Sequence, residues 1–326
     1  MTAMTYAWLA LPCAIAFCVA LGPARTRLAD RLADVPNERS LHARPRPRVG
    51  GLGIMAGALP FLFLSRDESL VVCAACALFL CVVSLIDDMR PLPIEVRLPA
   101  HALAAMVVVL VVRIDAPHAL LCAALAAIAI VWSTNLFNFM DGSDGLAGGM
   151  AVIGFAALAF ASGPSLGPLA WCAAVLSSAS LGFLLLNFPP ARVFMGDAGS
   201  IPAGFLAAAL GWIGIAHGAW PVWFPVLVFS PFIADASLTL ARRALRREAV
   251  WRAHRSHYYQ RLVLHGWSKA RLALSAYAVM IACSVSALAA LRLGAAGACA
   301  IIAAWSAIWV ALFVAIDRRA PSNRER

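Results

Sequence analysis

Charged side chains are scarce in this sequence of 326 residues: 13% are Asp, Glu, Lys or Arg, whereas 63% are hydrophobic. Too few polar residues remain to cover a water-soluble globule, so a soluble enzyme is excluded. Long segments of alternating polarity are also lacking, which excludes a transmembrane β-barrel. The Cys73-x-x-Cys76 pair has no neighbouring histidine and no second pair, so it does not indicate a metal or redox site.

Long apolar runs are what the sequence has in abundance. A membrane-spanning helix takes about 20 apolar residues. Eleven runs approach that length, at approximately residues 6–22, 49–64, 69–86, 98–112, 117–134, 148–162, 168–186, 201–217, 219–238, 270–291 and 295–316. We therefore predict an all-α polytopic membrane protein with about 11 transmembrane helices in one domain, residues 1–326.

Basic side chains are distributed unequally between the connections of these helices. Of the 26 Lys and Arg residues, 23 lie in or next to alternate connections and the C-terminal tail. The positive-inside rule assigns this side to the cytoplasm and the N-terminus to the outside. The predicted cytoplasmic connections are about 23–48, 87–97, 135–147, 187–200 and 239–269. The same asymmetry accounts for the net charge of +10 without a nucleic-acid partner.

Two adjacent carboxylates, Asp87 and Asp88, end the third run. The dipole of a helix disfavours negative charge at its C-terminal end, so the pair invites a cation. The alternative is that both residues mark the membrane boundary and pair with Arg90 or Arg97. The sequence leaves these two interpretations open.

The fifth run ends in NLFNFMDGSDGLAGG, where Asn135, Asn138, Asp141 and Asp144 recur every three residues. They would share one face if the segment were helical. A stretch rich in Gly, Asp and Asn is also typical of an ordinary turn. Irregular polar backbone at membrane depth is tolerated only where it is buried in protein or lines a cavity, which favours a functional role.

Three further segments have both a structural and a functional interpretation. In FMGDAGS, Asp197 either caps the following helix or belongs to a phosphate or metal–phosphate site. The basic connections PRPRVGG and AHRSHYYQRL, the latter with His254, His257 and Arg261, either signal topology or contact phosphates. Together the loops of this face suit Mg²⁺ and pyrophosphate, because Mg²⁺ is commonly held by one or two carboxylates plus substrate phosphates.

Four ordered motifs between about Arg39 and Leu262 carry a resemblance to a known family: PRVGG, Asp87-Asp88, NLFNFMDGSDGLAGG and FMGDAGS. They resemble the polyprenyl-phosphate N-acetylhexosaminyl-1-phosphate transferases, which are related to the enzyme that makes the first lipid-linked peptidoglycan precursor. The resemblance implies a catalytic domain in the bacterial inner membrane with its active site facing the cytoplasm. It also implies transfer of a sugar 1-phosphate from a UDP-sugar to undecaprenyl phosphate, with UMP released and Mg²⁺, or alternatively Mn²⁺, required.

The motifs of the family also assign roles to individual residues. Asp87 and Asp88 would activate the acceptor phosphate or help hold the metal, and His257 matches the first histidine of a cytoplasmic histidine motif. The assignments are Asp87, Asp88, Asp144 and His257 for catalysis, Asn135, Asn138, Asp141, Asn187, Arg261 and Arg48 for substrate binding, and Asp88 and Asp197 for Mg²⁺.

The sequence also departs from the family pattern. Tyr259 and Gln260 stand where many relatives carry further histidines, and Pro91 follows the Asp pair. These departures favour the O-antigen-initiating branch, some of whose members use deoxy-N-acetylhexosamines, over the peptidoglycan enzyme. The sugar, a homodimer, and the choice between direct attack and an aspartyl intermediate stay open.

Two other classes compete with an enzyme. A membrane transporter would use the cytoplasm-facing acidic residues as an ion pathway, and a scaffold for glycan assembly would have no need of them. The acidic residues cluster at one membrane face instead of at the bilayer midplane, which favours the enzyme.

Overall fold

The structure, a computed structural model, describes residues 3–22, 24, 26, 32–34, 45–115, 117–163, 167–249 and 254–319. Parts of the predicted connections 23–48 and 239–269 lie outside these residues. The helices are α1 Ala3–Leu21, α2 Gly50–Phe63, α3 Glu68–Met89, α4 Ile94–Val111, α5 Ala119–Met140, α6 Leu146–Ser162, α7 Gly167–Asn187, α8 Asp197–Ala216, α9 Trp223–Val228, α10 Ser230–Leu245, α11 Tyr258–Leu264, α12 Lys269–Ala290 and α13 Gly294–Arg319. Two short strands, β1 Ala33–Asp34 and β2 Arg46–Pro47, pair antiparallel. The all-α class is confirmed.

The apolar runs correspond closely to helices. Among the described residues, seven helices are long and apolar enough to cross a membrane, namely α3, α4, α5, α7, α8, α12 and α13, and α1, α2 and α6 contain shorter apolar helical segments. The chain is therefore a polytopic membrane protein. The ninth run, 219–238, was predicted as one helix, and that prediction is wrong.

Two helices occupy the ninth run because proline interrupts it. α9 ends at Val228 and α10 begins at Ser230, followed by Pro231. Proline has no N–H to donate and is tolerated in the first turn of a helix but not in its interior. α10 then continues to Leu245, seven residues beyond position 238, because its last turns are amphipathic and end in Arg242 and Arg243.

α8 is the central helix of the bundle. Of the most apolar 18-residue segment of α8, 89% is buried inside the protein, compared with 11% of the corresponding segment of α13 at the periphery. α8 packs against α2, α3 and α5, while α7 packs against α1 and α6. Small residues let helix backbones approach closely in a membrane. At the contact of α2 with α8, a Cβ on Gly51 would lie 2.3 Å from the Cα of Gly199.

The first and fourth motifs form one backbone-paired unit at this contact. The N–H of Phe194 donates to the carbonyl of Pro47 at 2.9 Å, and the N–H of Gly50 donates to the carbonyl of Phe194 at 2.9 Å. The N–H of Gly51 donates to the carbonyl of Met195 at 2.8 Å. PRVGG and FMGDAGS thus position the N-termini of α2 and α8 side by side.

Candidate active site

A cavity of about 300 Å³ lies where α3 and α5 end and α4 and α8 begin. Residues just before α11 and in its first turn complete the lining. Five residues predicted from the sequence line it: Asp87, Asn135, Asn138, Asp197 and His257. His254, for which the sequence left phosphate contact open, also lines it, and Arg97, His101 and Gln260 add polar groups that the motifs did not assign to the site. The fold therefore brings the second, third and fourth motifs and the histidine segment to one place.

Asp87 lines the cavity and is held by two donors. Its carboxylate accepts from the N–H of Leu92 at 2.6 Å and forms an ion pair with Arg97 at 3.0 Å. The pairing with Arg97 that the sequence left open is therefore present. Asp87 pairs with Arg97 and still lines the cavity, so it fits both the pairing and the functional interpretation.

Asp88 faces the N-terminus of α8 and is not part of the lining. Its side chain is 1% exposed and accepts from the N–H of Ala198 at 3.1 Å. The guanidinium of Arg48 lies 3.4 Å from the other carboxylate oxygen and also pairs with Asp34. The motifs assign Asp88 to catalysis and Mg²⁺ and Arg48 to substrate binding. In the structure both side chains lie beside the N-terminus of α8 and help to position that helix.

Asp197 is the first residue of α8. It does not cap this helix, although capping was one of the two interpretations of the sequence. The residue before the helix is Gly196, with φ of 71°, and the free N–H of Ala198 is taken by Asp88. The carboxylate of Asp197 is therefore available to the cavity, where Asn138 is hydrogen-bonded to it. Asn138 also donates to the hydroxyl of Ser200 at 3.2 Å.

The third motif divides where its helix ends. Asn135 and Asn138 are one turn apart on α5 and share the cavity face, as their spacing predicts. The helix ends at Met140, so the spacing no longer sets the direction of Asp141 and Asp144. Burial raises the pKa of Asp141 well above its usual range, and the negative charge of nearby Asp197 raises it further.

Asp144 and Asn187 belong to the support of the site. The carboxylate of Asp144 accepts from the N–H of Ala191 at 3.0 Å and pairs with Lys269 at 2.6 Å. The side chain of Asn187 accepts from the N–H of Gly145 at 2.8 Å and donates to the carbonyl of Val193 at 2.9 Å. Neither residue lines the cavity, because the turn at Gly142 and Gly145 directs this segment toward the connection between α7 and α8.

His257 lines the cavity and is oriented by Asp235, a residue that the motif analysis did not assign. Nδ1 of His257 lies 3.2 Å from the carboxylate of Asp235. The same carboxylate accepts from the N–H groups of Tyr258 and Tyr259, both at 3.0 Å, and from the hydroxyl of Thr239 at 3.1 Å. The signal in the sequence was an acidic side chain inside an apolar run, which is costly unless it has partners.

Tyr259 joins α11 to the third motif. Its hydroxyl donates to the carbonyl of Phe139 at 3.0 Å, and a Cβ on Gly142 would lie 2.2 Å from that hydroxyl oxygen. The side chain of Gln260 accepts from the N–H of His257 at 3.2 Å and lines the cavity. The two residues that depart from the family's histidine pattern therefore shape the wall beside His257.

Arg261 was predicted to contact phosphate, and the structure places it away from the cavity. Its guanidinium pairs with Asp317 of α13 at 2.8 Å and lies 4.7 Å from the ring centre of Tyr258. Arg242 pairs with the same Asp317. His257 precedes the helix with ψ of 148°, so the four-residue spacing to Arg261 does not put the two side chains on one face.

Within the described residues, no group of three or more His, Cys, Asp or Glu side chains could hold a metal ion by itself. The cavity instead offers two carboxylates, three side-chain amides, three imidazoles and an arginine. Fold and cavity together define a polytopic membrane protein with a buried polar site at one end of its helices.

The comparison with known proteins confirms the resemblance drawn from the motifs. Residues 70–215 match Glycosyl transferase family 4, a segment that contains nearly all of α3 to α8 and the second, third and fourth motifs. The family match and the names of the relatives indicate a phosphosugar transferase, which favours an enzyme over the transporter and scaffold alternatives.

Several bacterial relatives extend the match to most of the chain. The chain is 28% identical over 299 residues to a protein of Bacillus subtilis described as a probable undecaprenyl-phosphate N-acetylglucosaminyl 1-phosphate transferase, covering 86% of this chain and 80% of that protein. It is 28% identical over 265 residues to the undecaprenyl-phosphate alpha-N-acetylglucosaminyl 1-phosphate transferase of Yersinia pestis, covering 73% and 71%. A phospho-N-acetylmuramoyl-pentapeptide-transferase of Moorella thermoacetica is 36% identical over 160 residues, 48% of each chain.

Proposed function

We propose that this protein transfers an N-acetylhexosamine 1-phosphate from a UDP-sugar to undecaprenyl phosphate, giving undecaprenyl diphosphate-sugar and UMP. The observation that carries the proposal is the single cavity shared by Asp87, Asn138, Asp197 and His257, which come from four separate segments. The names of the relatives support the same transfer, since they describe N-acetylglucosaminyl 1-phosphate transfer to undecaprenyl phosphate.

The donor set of the cavity fits Mg²⁺. Mg²⁺ is usually bound through one or two carboxylates plus substrate phosphates and retains several waters, so a protein-only cage is not needed. Asp197 would hold the ion, with Asp141 close enough for their charges to interact strongly. When bound, Mg²⁺ neutralises the charge of the pyrophosphate.

The residues of the chain supply positioning and charge stabilisation. An oxygen of the acceptor phosphate attacks the sugar-bearing phosphorus, a new P–O bond forms, and the P–O bond to UMP breaks. Arg97 and His257 face the space where negative charge spreads over the transferred group. Because Asp235 is hydrogen-bonded to Nδ1 of His257, the imidazole is fixed in orientation and Nε2 remains for a ligand.

Direct attack fits this arrangement better than an aspartyl intermediate. Asp88 is occupied by the N–H of Ala198 and by Arg48 and does not reach the cavity. Both oxygens of Asp87 accept hydrogen bonds, from the N–H of Leu92 and from Arg97. Each oxygen of both carboxylates therefore has a donor, and hydrogen bonding to these oxygens lowers their nucleophilicity.

The active site faces the cytoplasm of a bacterial inner membrane in this proposal. The 23 basic residues of the side on which the cavity lies, out of 26 in total, support that orientation. Reporter fusions at the N-terminus and after Arg319 test it. One reporter is chosen that is active only on the outer side of the membrane. Activity of this reporter at the C-terminus would contradict the orientation.

The function is tested by nucleotide release from the purified protein. Undecaprenyl phosphate is supplied with a panel of UDP-sugars that includes N-acetylglucosamine and deoxy-N-acetylhexosamine donors, with Mg²⁺ or with a chelator. We expect UMP from at least one donor, dependence on Mg²⁺, and reversal by added UMP, because one phosphoanhydride replaces another. Release of UDP would instead mean attack at the sugar carbon and would overturn the proposal.

A further inference from the structure

A second cavity, of about 450 Å³, lies between α10, α11, α12 and α13. The helix α11 separates it from the active-site cavity. His257 and Gln260 line the first cavity, whereas Tyr258 and Leu262 line only the second. Its volume is within the range of about 300–1,000 Å³ that is usual for ligand sites.

Polarity changes along the second cavity in one direction. On α12, Arg271 lies near the start of the helix and is followed in the lining by Ala276 and Met280. Nine residues of helix span roughly 13 Å at about 1.5 Å per residue. α13 contributes Phe313 to the apolar part and its terminal residue Arg319 to the lining. The cavity therefore has two arginines where these helices start and end, and an apolar interior.

The charged end of this cavity is not neutralised by its own lining. Arg271 packs over the ring of Trp267 at 4.2 Å, and no carboxylate of the described residues forms an ion pair with it. Asp235 is the acidic residue among the described lining residues, and its oxygens are taken by the N–H groups of Tyr258 and Tyr259. Charge complementarity therefore favours an anion at the two arginines.

The surroundings of the cavity favour a lipid as the carrier of that anion. α13 is the least buried of the candidate membrane spans, because only 11% of its most apolar 18-residue segment lies inside the protein. Its outer face therefore lies against the bilayer. A phospholipid matches the cavity, because its phosphate corresponds to the charged end and its long apolar chains correspond to the apolar interior. Anionic lipids gain about fivefold in binding for each basic residue near the membrane surface.

We propose that the second cavity binds one anionic glycerophospholipid, with its phosphate at Arg271 and Arg319 and one acyl chain along Ala276, Met280 and Phe313. The lipid acceptor of the reaction is a less suitable occupant. Its phosphate has to reach Asp87 and Asp197, which line the cavity on the other side of α11. The exclusion of the acceptor rests on the proposed function, whereas the binding of a phospholipid is measured without the reaction.

Native mass spectrometry of the purified full chain tests the proposal. The protein is titrated with dioleoyl phosphatidylglycerol or dioleoyl phosphatidylcholine, and the fraction carrying one lipid is measured. We expect tighter binding of phosphatidylglycerol, and about thirtyfold weaker binding in the double variant Arg271→Gln with Arg319→Gln. Arg292→Gln is the matched control, because Arg292 is an exposed arginine beyond the opposite end of α12, and it should bind as the unchanged protein does.

A second variant tests the apolar part of the cavity. Ala276→Trp fills the path of the acyl chain and should also reduce phosphatidylglycerol binding while the thermal unfolding temperature is retained. Equal binding of the two lipids, or unchanged binding in both the arginine variant and Ala276→Trp, would overturn the proposal. Displacement of phosphatidylglycerol by undecaprenyl phosphate in equimolar competition would assign the site to the acceptor and overturn it as well.

Discussion

Asp88→Asn and Asp197→Asn each remove one negative charge at the N-terminus of α8, yet the structure predicts different effects on stability. Asp88 is 1% exposed, accepts from the N–H of Ala198 and pairs with Arg48. An asparagine keeps an acceptor for Ala198 but loses the charge at the helix N-terminus and the ion pair. Charged hydrogen bonds contribute roughly 1.5–3 kcal/mol and a favourable helix-end charge about 0.3–1 kcal/mol. Repulsion between Asp88 and the nearby Asp197 offsets part of these contributions, so we expect a net loss of about 1 kcal/mol, which lowers the melting temperature by a few degrees.

Asp197→Asn should leave stability unchanged or raise it. The carboxylates of Asp87 and Asp141 lie close enough to repel Asp197, and an amide of the same size can still hydrogen-bond to Asn138. In the proposed reaction, turnover should nevertheless fall at least a hundredfold, which corresponds to about 2.7 kcal/mol at the transition state, since Asp197 would no longer offer a charge to the substrate and the metal.

Thermal unfolding in detergent without substrate or metal, combined with UMP release in Mg²⁺, separates the two effects. Asp67→Asn is the matched control: Asp67 caps α3 at its opposite end by accepting from the N–H of Leu70 at 3.2 Å. It should lose only about 0.5 kcal/mol of stability, because asparagine caps a helix about as well as aspartate and only the charge at the helix N-terminus is lost, and it should keep full turnover. The reasoning is refuted if Asp88→Asn is as stable as the unchanged protein, or if Asp197→Asn loses stability to the same extent as Asp88→Asn.

Three further changes probe the wall around α11. Asp235→Asn should lower kcat/KM about tenfold to a hundredfold and alter its pH profile, because an amide N–H facing Nδ1 of His257 disfavours the Nδ1–H forms; an unaltered profile would contradict this role. Gly142→Ala should lower the melting temperature, because its Cβ would lie 2.2 Å from the hydroxyl oxygen of Tyr259, and adding Tyr259→Phe should recover part of the loss. Burial and nearby positive charge lower the pKa of His254 from 6.5 to about 4. The contribution of His254 to stability is therefore complete above pH 6.5 and is lost as the pH falls from 6.5 to about 4. Thermal unfolding between pH 7 and about 4 should show a smaller loss of stability in acid for His254→Gln.

The length of the apolar runs predicted the helices well because a span needs a fixed length of apolar residues. The break in the ninth run was harder to place. Pro221, Pro225 and Pro231 all interrupt it in the sequence, and the structure places Pro225 in the first turn of α9 and Pro231 in the first turn of α10. Proline is tolerated in the first turn of a helix, so the boundary depends on how α9 and α10 pack against α12.

Spacing predicted the site only as far as the helix that carries it. Asn135 and Asn138 face the cavity because α5 is still helical there. Beyond Met140 the backbone turns, with φ of 78° at Gly145, and Asp144 is directed to Lys269. Asp235 was missed because its role depends on the approach of α11 to α10, two segments whose contact no local pattern specifies.

The pair Asp87-Asp88 shows why residue type alone does not separate chemistry from support. Adjacent residues on a helix point about 100° apart, so one carboxylate faces the cavity and the other faces α8. Which of them does so is set by the rotation of α3 against α8, and that rotation is fixed by packing along the whole interface. A buried carboxylate needs donors in either position, from backbone N–H groups and arginine at a helix end or from substrate and metal in a cavity. The two demands select the same residues, Asp beside Gly and Arg, and therefore leave the same motif in the sequence.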